Sequence, residues 1–297
     1  MKTIRFGIIG AGLMGREFAS AAARWCHLTD MPARPELAAV CDKNPAILGW
    51  YKDNFPGLKL LTGDYRILLA SAEVDAVYIA VPHNLHAEIY CAALAAGKHL
   101  LGEKPFGIDL AANDKIMAAV RVNPKCFVRC SSEFPFYPAV QRMCALLEKG
   151  FYGQVFEVNA AFLHSSDLDP EKAINWKRLI DVNGEYGCMG DLGMHVCHVP
   201  FRAGWIPRNV RAILADIVKE RPDGKGGRVP CKTWDNATLF CEADDNRGGI
   251  LPLTLKTYRI APGQKNTWQI EILGTQGCAR FSTKNPRRLD TLEYRGG

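Results

Sequence analysis

Three short constellations in this sequence carry residue types and spacings that can do chemistry. The first is Gly7-Ile-Ile-Gly10-Ala-Gly12-Leu13-Met14-Gly15, where Gly10, Gly12 and Gly15 have the GxGxxG spacing. Such glycines give a tight turn, a close backbone approach to a pyrophosphate, and close helix–strand packing. A helix opened there by Leu13 and Met14 offers free N–H groups and the positive end of its dipole to phosphates. The second is Glu103-Lys104-Pro105, in which the proline holds Lys104 extended at the end of a short apolar strand. An ammonium so placed can hold and polarise a substrate oxygen while hydride moves. The third runs from Gly187 to His198. On a helix, Cys188, Asp191, His195, His198 and Arg202 share one face, opposite Leu192, Val196, Val199 and Ala203. Histidine suits proton exchange with an alcohol near neutral pH, and a carboxylate one turn away can orient it or bind substrate hydroxyls. Two other readings stand beside this one: a satisfied polar helix face, and a metal site built from Cys188, Asp191, His195 and His198. The spacing matches no compact zinc pattern, so no metal is expected.

Further cofactor contacts are expected at strand ends. Asp42 closes the second strand, where its carboxylate can accept hydrogen bonds from the adenosine ribose and repel a 2′-phosphate, favouring NAD over NADP. It lies beyond the usual spacing from the glycine turn, and a Thr29–Pro35 insertion accounts for the surplus. Lys43 beside it keeps NADP as the alternative. Pro82, Asn84 and His86 follow the Ala76–Val81 strand at its carboxyl end, the edge where parallel sheets bind ligands. Asn84 or His86 is expected toward the nicotinamide side; His86 reads equally well as a first-turn helix residue with no chemical role.

These groups need elements to position them. The chain alternates strand and helix up to about residue 125: strands at Thr3–Ile9, Leu37–Cys41, Ala76–Val81 and His99–Leu101, and helices from Met14, His86 and Asp109. That pattern predicts a parallel sheet with helices on both faces. After Cys126–Cys130 come a helix over Pro138–Lys149, a strand over Val155–Phe162, a polar loop, and a helix from Met189 to Ala203. Strands follow at Val210–Val218, Thr238–Glu242, Leu251–Tyr258, Trp268–Leu273 and Ala279–Ser282, a run that predicts a mostly antiparallel sheet. Arg221–Lys232 reads as an exposed excursion. The expected fold is α/β, a doubly wound dinucleotide-binding domain over 1–125 followed by an α+β domain with a mostly antiparallel open sheet over 126–297.

Composition narrows the class. A chain of 297 residues with 48% hydrophobic and 23% charged residues suits two soluble globular domains. The net charge of +6 is mild, and without a dense Lys/Arg block no nucleic-acid partner is expected. No apolar run reaches the roughly 20 residues of a membrane span, and Met1-Lys-Thr-Ile-Arg leads directly into a strand without a signal-peptide core. Eleven scattered cysteines, several within apolar elements, fit reduced thiols and a cytoplasmic setting.

Together the motifs resemble those of the Gfo/Idh/MocA family of oxidoreductases (glucose–fructose oxidoreductase, inositol dehydrogenase, rhizopine catabolism). The matching pieces are Gly10-Ala-Gly12-Leu-Met-Gly15, Asp42, Glu103-Lys104-Pro105, Trp176-Lys177, Gly190-Asp191-Leu-Gly193-Met-His195 and Ile272-Leu-Gly274-Thr-Gln-Gly277, spread over nearly the whole chain. The resemblance implies NAD(P)-dependent oxidation or reduction of a sugar, polyol, inositol or cyclic diol. It assigns Lys104 the family's lysine role, Asp191 and His195 substrate binding and proton transfer, and Trp176 and Lys177 places near the substrate, with Glu103 beside the cofactor. It also implies a homodimer or homotetramer formed through the C-terminal sheet. Two other activities remain open: transient oxidation by tightly bound NAD, as in relatives that cleave glycosidic bonds or exchange two sugars, and a non-catalytic NAD-dependent sensor. Family members commonly continue beyond the point where this chain stops at Tyr294-Arg-Gly-Gly297, which leaves two expectations open, a C-terminal truncation or an unusually short member. Phe134-Pro-Phe-Tyr137-Pro138 lacks an arginine common among relatives, and the His164–Trp176 loop is expected to govern substrate choice.

Overall fold

The computed structural model describes residues 1–245 and 248–296, and the chain divides into two units, Met1–Ser131 and Ser132–Gly297. The first unit is a sheet of six parallel strands: β1 (Lys2–Ile9), β2 (Ala33–Cys41), β3 (Leu60–Thr62), β4 (Ala76–Ile79), β5 (His99–Gly102) and β6 (Val128–Cys130). Their order is β3-β2-β1-β4-β5-β6, the doubly wound arrangement with its switch point between β1 and β4. Strand alternation sends Ile8, Val40 and Tyr78 to one face, where they pack with Ala19 of α1 (Leu13–Ala23) and Tyr51 of α2 (Leu48–Asn54). Ile9, Cys41 and Ile79 face the other way, toward α3 (Tyr65–Ala70), α4 (His86–Ala95) and α5 (Leu110–Val122). Asp109 caps α5 by accepting the Ala112 N–H at 2.7 Å, as its residue type leads one to expect.

The second unit opens with α6 (Pro138–Glu148) and β7 (Val155–Leu163), then α7 (Ile180–Asn183) and α8 (Gly187–Arg202). The later strands are β8 (Arg208–Ala215), β9 (Glu220–Pro222), β10 (Arg228–Pro230), β11 (Asn236–Asp244), β12 (Ile250–Tyr258), β13 (Thr267–Gly274), β14 (Gly277–Ser282) and β15 (Leu289–Glu293). Seven strands form one sheet in the order β15-β14-β13-β7-β12-β11-β8. Every pairing in it is antiparallel except β7 with β12. Leu251, Leu253 and Leu255 of β12 alternate onto the face that buries Leu192, Val196 and Val199 of α8. Each such fully buried side chain contributes about 1.5–3 kcal/mol.

The structure departs from the sequence reading in specific places. β2 begins at Ala33, inside the segment read as an insertion, because Ala33–Glu36 pairs with β1; Pro35 is tolerated since β3 reaches only Ala39–Cys41 on the other side. The stretch from 43 to 75, left unassigned, holds α2, β3 and α3. β6 pairs with β5, so the first unit extends past residue 125. The supposed exposed excursion over 221–232 contains the β9–β10 pair, and Arg221 in it is only 1% exposed. Its guanidinium is enclosed by the carbonyls of Asp167 and Asp169, at 2.5 and 2.7 Å, which replace the water it would otherwise need.

Candidate active site

The glycine turn follows β1 directly. Gly10 has φ +98°, and a Cβ there would stand 2.3 Å from the Ala80 carbonyl oxygen, so only glycine fits between β1 and the end of β4. Gly15 lets α1 approach, since its Cβ would meet the Gly10 oxygen at 2.3 Å. Gly12 differs: a Cβ would meet nothing within 4 Å. It is the N-cap of α1, has no side-chain cap, and the helix has no acidic residue in its first turn. The turn therefore presents an open approach and an uncancelled positive helix end, which is what a pyrophosphate requires. Leu13 and Met14, at that opening, are exposed.

Asp42 follows β2 and binds the turn. One carboxylate oxygen accepts the Ala11 N–H at 2.8 Å and the other the Asn44 N–H at 2.8 Å. Each oxygen keeps lone-pair capacity for a ribose hydroxyl. The residues present thus fit a dinucleotide: Gly12 and the α1 N-terminus for phosphates, Asp42 for the ribose.

At the carboxyl end of β4, Pro82 and Asn84 are exposed. His86 is a correction. Its side chain is buried at 0% exposure, with Nδ1 2.7 Å from the Pro105 carbonyl oxygen and Nε2 2.9 Å from that of Val81. Both ring nitrogens face protein carbonyls, so the ring is not a cofactor contact. Burial pushes its pKa down. Glu103 is buried as well: Oε1 accepts the Tyr78 hydroxyl at 2.6 Å and Oε2 the Lys104 N–H at 3.2 Å. Lys104 is half-buried at the end of β5.

In the second unit the site is built around Asp191, 1% exposed on α8. Lys177 Nζ reaches its two oxygens at 3.2 and 3.0 Å, and Arg259 Nη2 meets Oδ2 at 3.1 Å. Arg259 also donates to the Lys177 carbonyl at 3.0 Å, locking the Trp176–Arg178 turn to α8. Two cations fix Asp191 as an oriented carboxylate. Behind them Arg178, fully buried, pairs with Asp167 at 2.8 Å and Asp235 at 2.5 Å. His195 is wedged edge-on against Phe134 and Phe162, with ring centroids at 5.0 and 5.3 Å. Its Nδ1 lies 3.5 Å from the Ser132 hydroxyl, and its carbonyl accepts the Trp268 indole N–H at 3.0 Å.

An open cavity lies beside this cluster, lined among others by His164, Asp167, Trp176, Lys177, Asp191 and Arg259. The structure thus brings the expected Trp176, Lys177 and Asp191 together. The expected polar stripe of α8 splits: Cys188 is buried, its thiol pushed up to about 11 by desolvation, while Arg202 is exposed and His198 half-buried. Arg259, Arg178, Asp167, Asp235 and Ser132 were not anticipated. Arg259 did carry a signal, because it continues the inward parity of Leu251, Leu253, Leu255 and Thr257. Among the described residues, no group of three or more His, Cys, Asp or Glu side chains is placed to hold a metal.

The doubly wound sheet and its glycine turn define a dinucleotide-binding protein. Residues 4–129 match the family model described as "Oxidoreductase family, NAD-binding Rossmann fold" (GFO_IDH_MocA). The chain is 32% identical over 296 residues to the oxidoreductase YrbE of Bacillus subtilis, covering 97% of this chain and 76% of that protein. It is 27% identical over 307 residues to levoglucosan dehydrogenase of Pseudarthrobacter phenanthrenivorans, covering 99% and 76%. A solved levoglucosan dehydrogenase, in complex with NADH and L-sorbose, superposes with a TM-score of 0.92 at 26% identity, over 100% of this chain and 78% of that one. This chain belongs to the Gfo/Idh/MocA family and is an NAD(P)-dependent dehydrogenase acting on CH–OH groups.

Proposed function

We propose that the enzyme transfers hydride between NAD and a secondary alcohol carbon of a small sugar or polyol. The observation that carries this reading is the Lys177–Asp191–Arg259 clamp beside an open cavity walled by Trp176. Fixed donors and acceptors with an aromatic face suit a molecule that alternates hydroxyls and C–H surface. The similarity to an enzyme crystallised with levoglucosan and with L-sorbose supports the same substrate class.

When bound, NAD supplies the hydride acceptor at C4 of its nicotinamide. In the oxidative direction we assign the proton of the reacting hydroxyl to His195, whose ring the two phenylalanines hold in one orientation. Lys104 stabilises the developing alkoxide through its ammonium. Asp191 positions a neighbouring hydroxyl, and Lys177 and Trp176 bind the rest of the molecule. A panel of sugars and polyols with NAD and NADP, followed by absorbance of the reduced nicotinamide, tests the assignment. No turnover with any secondary alcohol would refute it, and wild-type turnover in Lys104→Ala would remove that residue from the mechanism.

We also infer self-association through the outer face of the seven-stranded sheet as a homodimer or homotetramer. Phe240 and Ile213 stand exposed there, opposite the face that α8 covers. Sedimentation of Phe240→Glu tests it: a shift to monomer is expected, and an unchanged species argues against that face. We further place the protein in the cytoplasm. Its cysteines stand as free thiols, as suits a reducing compartment. No helix among the described residues is long and apolar enough to cross a membrane. Recovery in the membrane or periplasmic fraction would count against the assignment.

A further inference from the structure

β5 ends at Gly102, so the carbonyls of the residues that follow leave the sheet ladder and need other donors. α4 supplies them on both sides of Lys104. The Tyr90 hydroxyl donates to the Glu103 carbonyl at 2.7 Å, and His86 Nδ1 lies 2.7 Å from the Pro105 carbonyl. The two aromatic rings stack at 4.9 Å, and Gly102 makes room for them, since a Cβ there would stand 2.6 Å from the Tyr90 ring. His86 Nε2 in turn lies 2.9 Å from the Val81 carbonyl, at the start of the segment that carries Pro82 and Asn84. One imidazole therefore spans the two segments that leave β4 and β5 at the sheet's carboxyl edge. A hydrophobic residue could fill this buried volume but could not donate to the Pro105 carbonyl.

We propose that His86 is a positioning residue: its imidazole ties the segment bearing Lys104 to the segment bearing Pro82 and Asn84, and so fixes where the lysine ammonium stands relative to the cofactor. This rests on the assignment of Lys104 to the reacting oxygen. A neutral ring carries one N–H, and the shorter contact assigns it to Nδ1, donating to Pro105; Nε2 then stands close to the Val81 carbonyl without a hydrogen bond to it, and the tie to Pro82 and Asn84 runs through the short stretch of chain that leads into His86. The groups that face the ring are Glu103 and Lys104 from the β5–α5 segment, Tyr90 from α4 and His83 from the preceding turn.

Asparagine and glutamine separate the two contacts, because an asparagine amide nitrogen falls near the position of Nδ1 and a glutamine amide nitrogen near that of Nε2. His86→Asn keeps the donor to Pro105, and kcat should stay within about threefold of the unsubstituted enzyme. His86→Gln keeps only the contact to Val81, and kcat should fall by about tenfold or more, with KM for NAD changed by less than about threefold. Melting temperatures of the two variants should agree closely. Equal losses of kcat in both, tracking their melting temperatures, would show a merely structural residue and overturn the proposal, as would unchanged kcat in His86→Gln. Nitrogen-15 shifts of His86 in the unsubstituted protein give a reading that needs no variant: Nδ1 should carry the proton, and an Nδ1 without one overturns the clamp. Lys104→Ala measured alongside separates the two levels. An inactive Lys104→Ala with a fully active His86→Gln removes the clamp alone, whereas a fully active Lys104→Ala removes the assignment on which it rests.

Discussion

Replacing Gly10 and Gly12 separately by alanine divides what the glycine turn needs in order to fold from what it offers a cofactor. At Gly10 the backbone is left-handed, φ +98°, and the new Cβ would meet the Ala80 oxygen at 2.3 Å. The conformation alone costs about 1–2 kcal/mol, and displacing the end of β4 adds about as much again, so a loss of about 3 kcal/mol follows. For a unit of this size that lowers Tm by about 10 °C. At Gly12 the backbone is extended, φ −68° and ψ −153°, and the Cβ meets nothing. Only the modest preference of an N-cap for glycine over alanine is lost, and Tm should fall by no more than about 2 °C. The methyl group does occupy the phosphate approach. Losing two charge-assisted N–H bonds at about 1.5 kcal/mol each weakens NAD binding by about 100-fold. Thermal melting without cofactor and calorimetric titration with NAD read the two effects independently. Unchanged NAD affinity in Gly12→Ala, or equal losses of Tm in both variants, would refute the reasoning.

Arg259→Met leaves Asp191 with Lys177 as its cationic partner; we expect about 3 kcal/mol of destabilisation and a larger fall in kcat than in Asp191-independent NAD binding, checked by denaturant unfolding and steady-state kinetics. Asp42→Ser should relax the preference for NAD over NADP by about tenfold while weakening the turn, since Asp42 also accepts the Ala11 N–H; an unchanged kcat/KM ratio between the cofactors would contradict its place at the ribose. Burial lowers the folded-state pKa of His86 and His198 below the ordinary 6.5, Arg202 adding to the effect at His198. In the window just below pH 6.5 the unfolded chain then binds more protons, so stability should fall as pH drops there, and His86→Asn should flatten the slope of Tm against pH. At Asp167 desolvation acts upward, but Arg178 and Lys172 outweigh it and its pKa is lowered from 3.8; its contribution persists above that value and is lost only at stronger acidity.

The parts of this molecule that follow short-range rules were legible in the sequence. GxGxxG between an apolar strand and a helix, Asp109 as a cap, and alternation in Leu251–Tyr258 each set local structure by themselves. The doubly wound sheet and the mostly antiparallel second sheet followed from the order of such elements. What escaped depends on partners distant in sequence. Arg221 reads as a surface residue until the carbonyls of Asp167 and Asp169 enclose it, and Arg178 until it meets Asp235. His86 sits on the expected helix and strand edge, yet its ring turns inward because the Pro105 carbonyl, which has left the ladder, needs a donor. A polar stripe along α8 was visible, but which of its members would be buried was decided by β12 and the loop before α7.

Hydride transfer from a substrate carbon is the central claim, and isotope tracing reads it directly. The enzyme would be incubated with NAD and a sugar or polyol carrying deuterium on its carbinol carbons, levoglucosan among them, and the recovered cofactor examined by mass spectrometry and proton NMR. Deuterium at C4 of the nicotinamide, formed by the unsubstituted enzyme and absent with Lys104→Ala, is the outcome expected. Reduced cofactor whose C4 carries only protium would contradict the account.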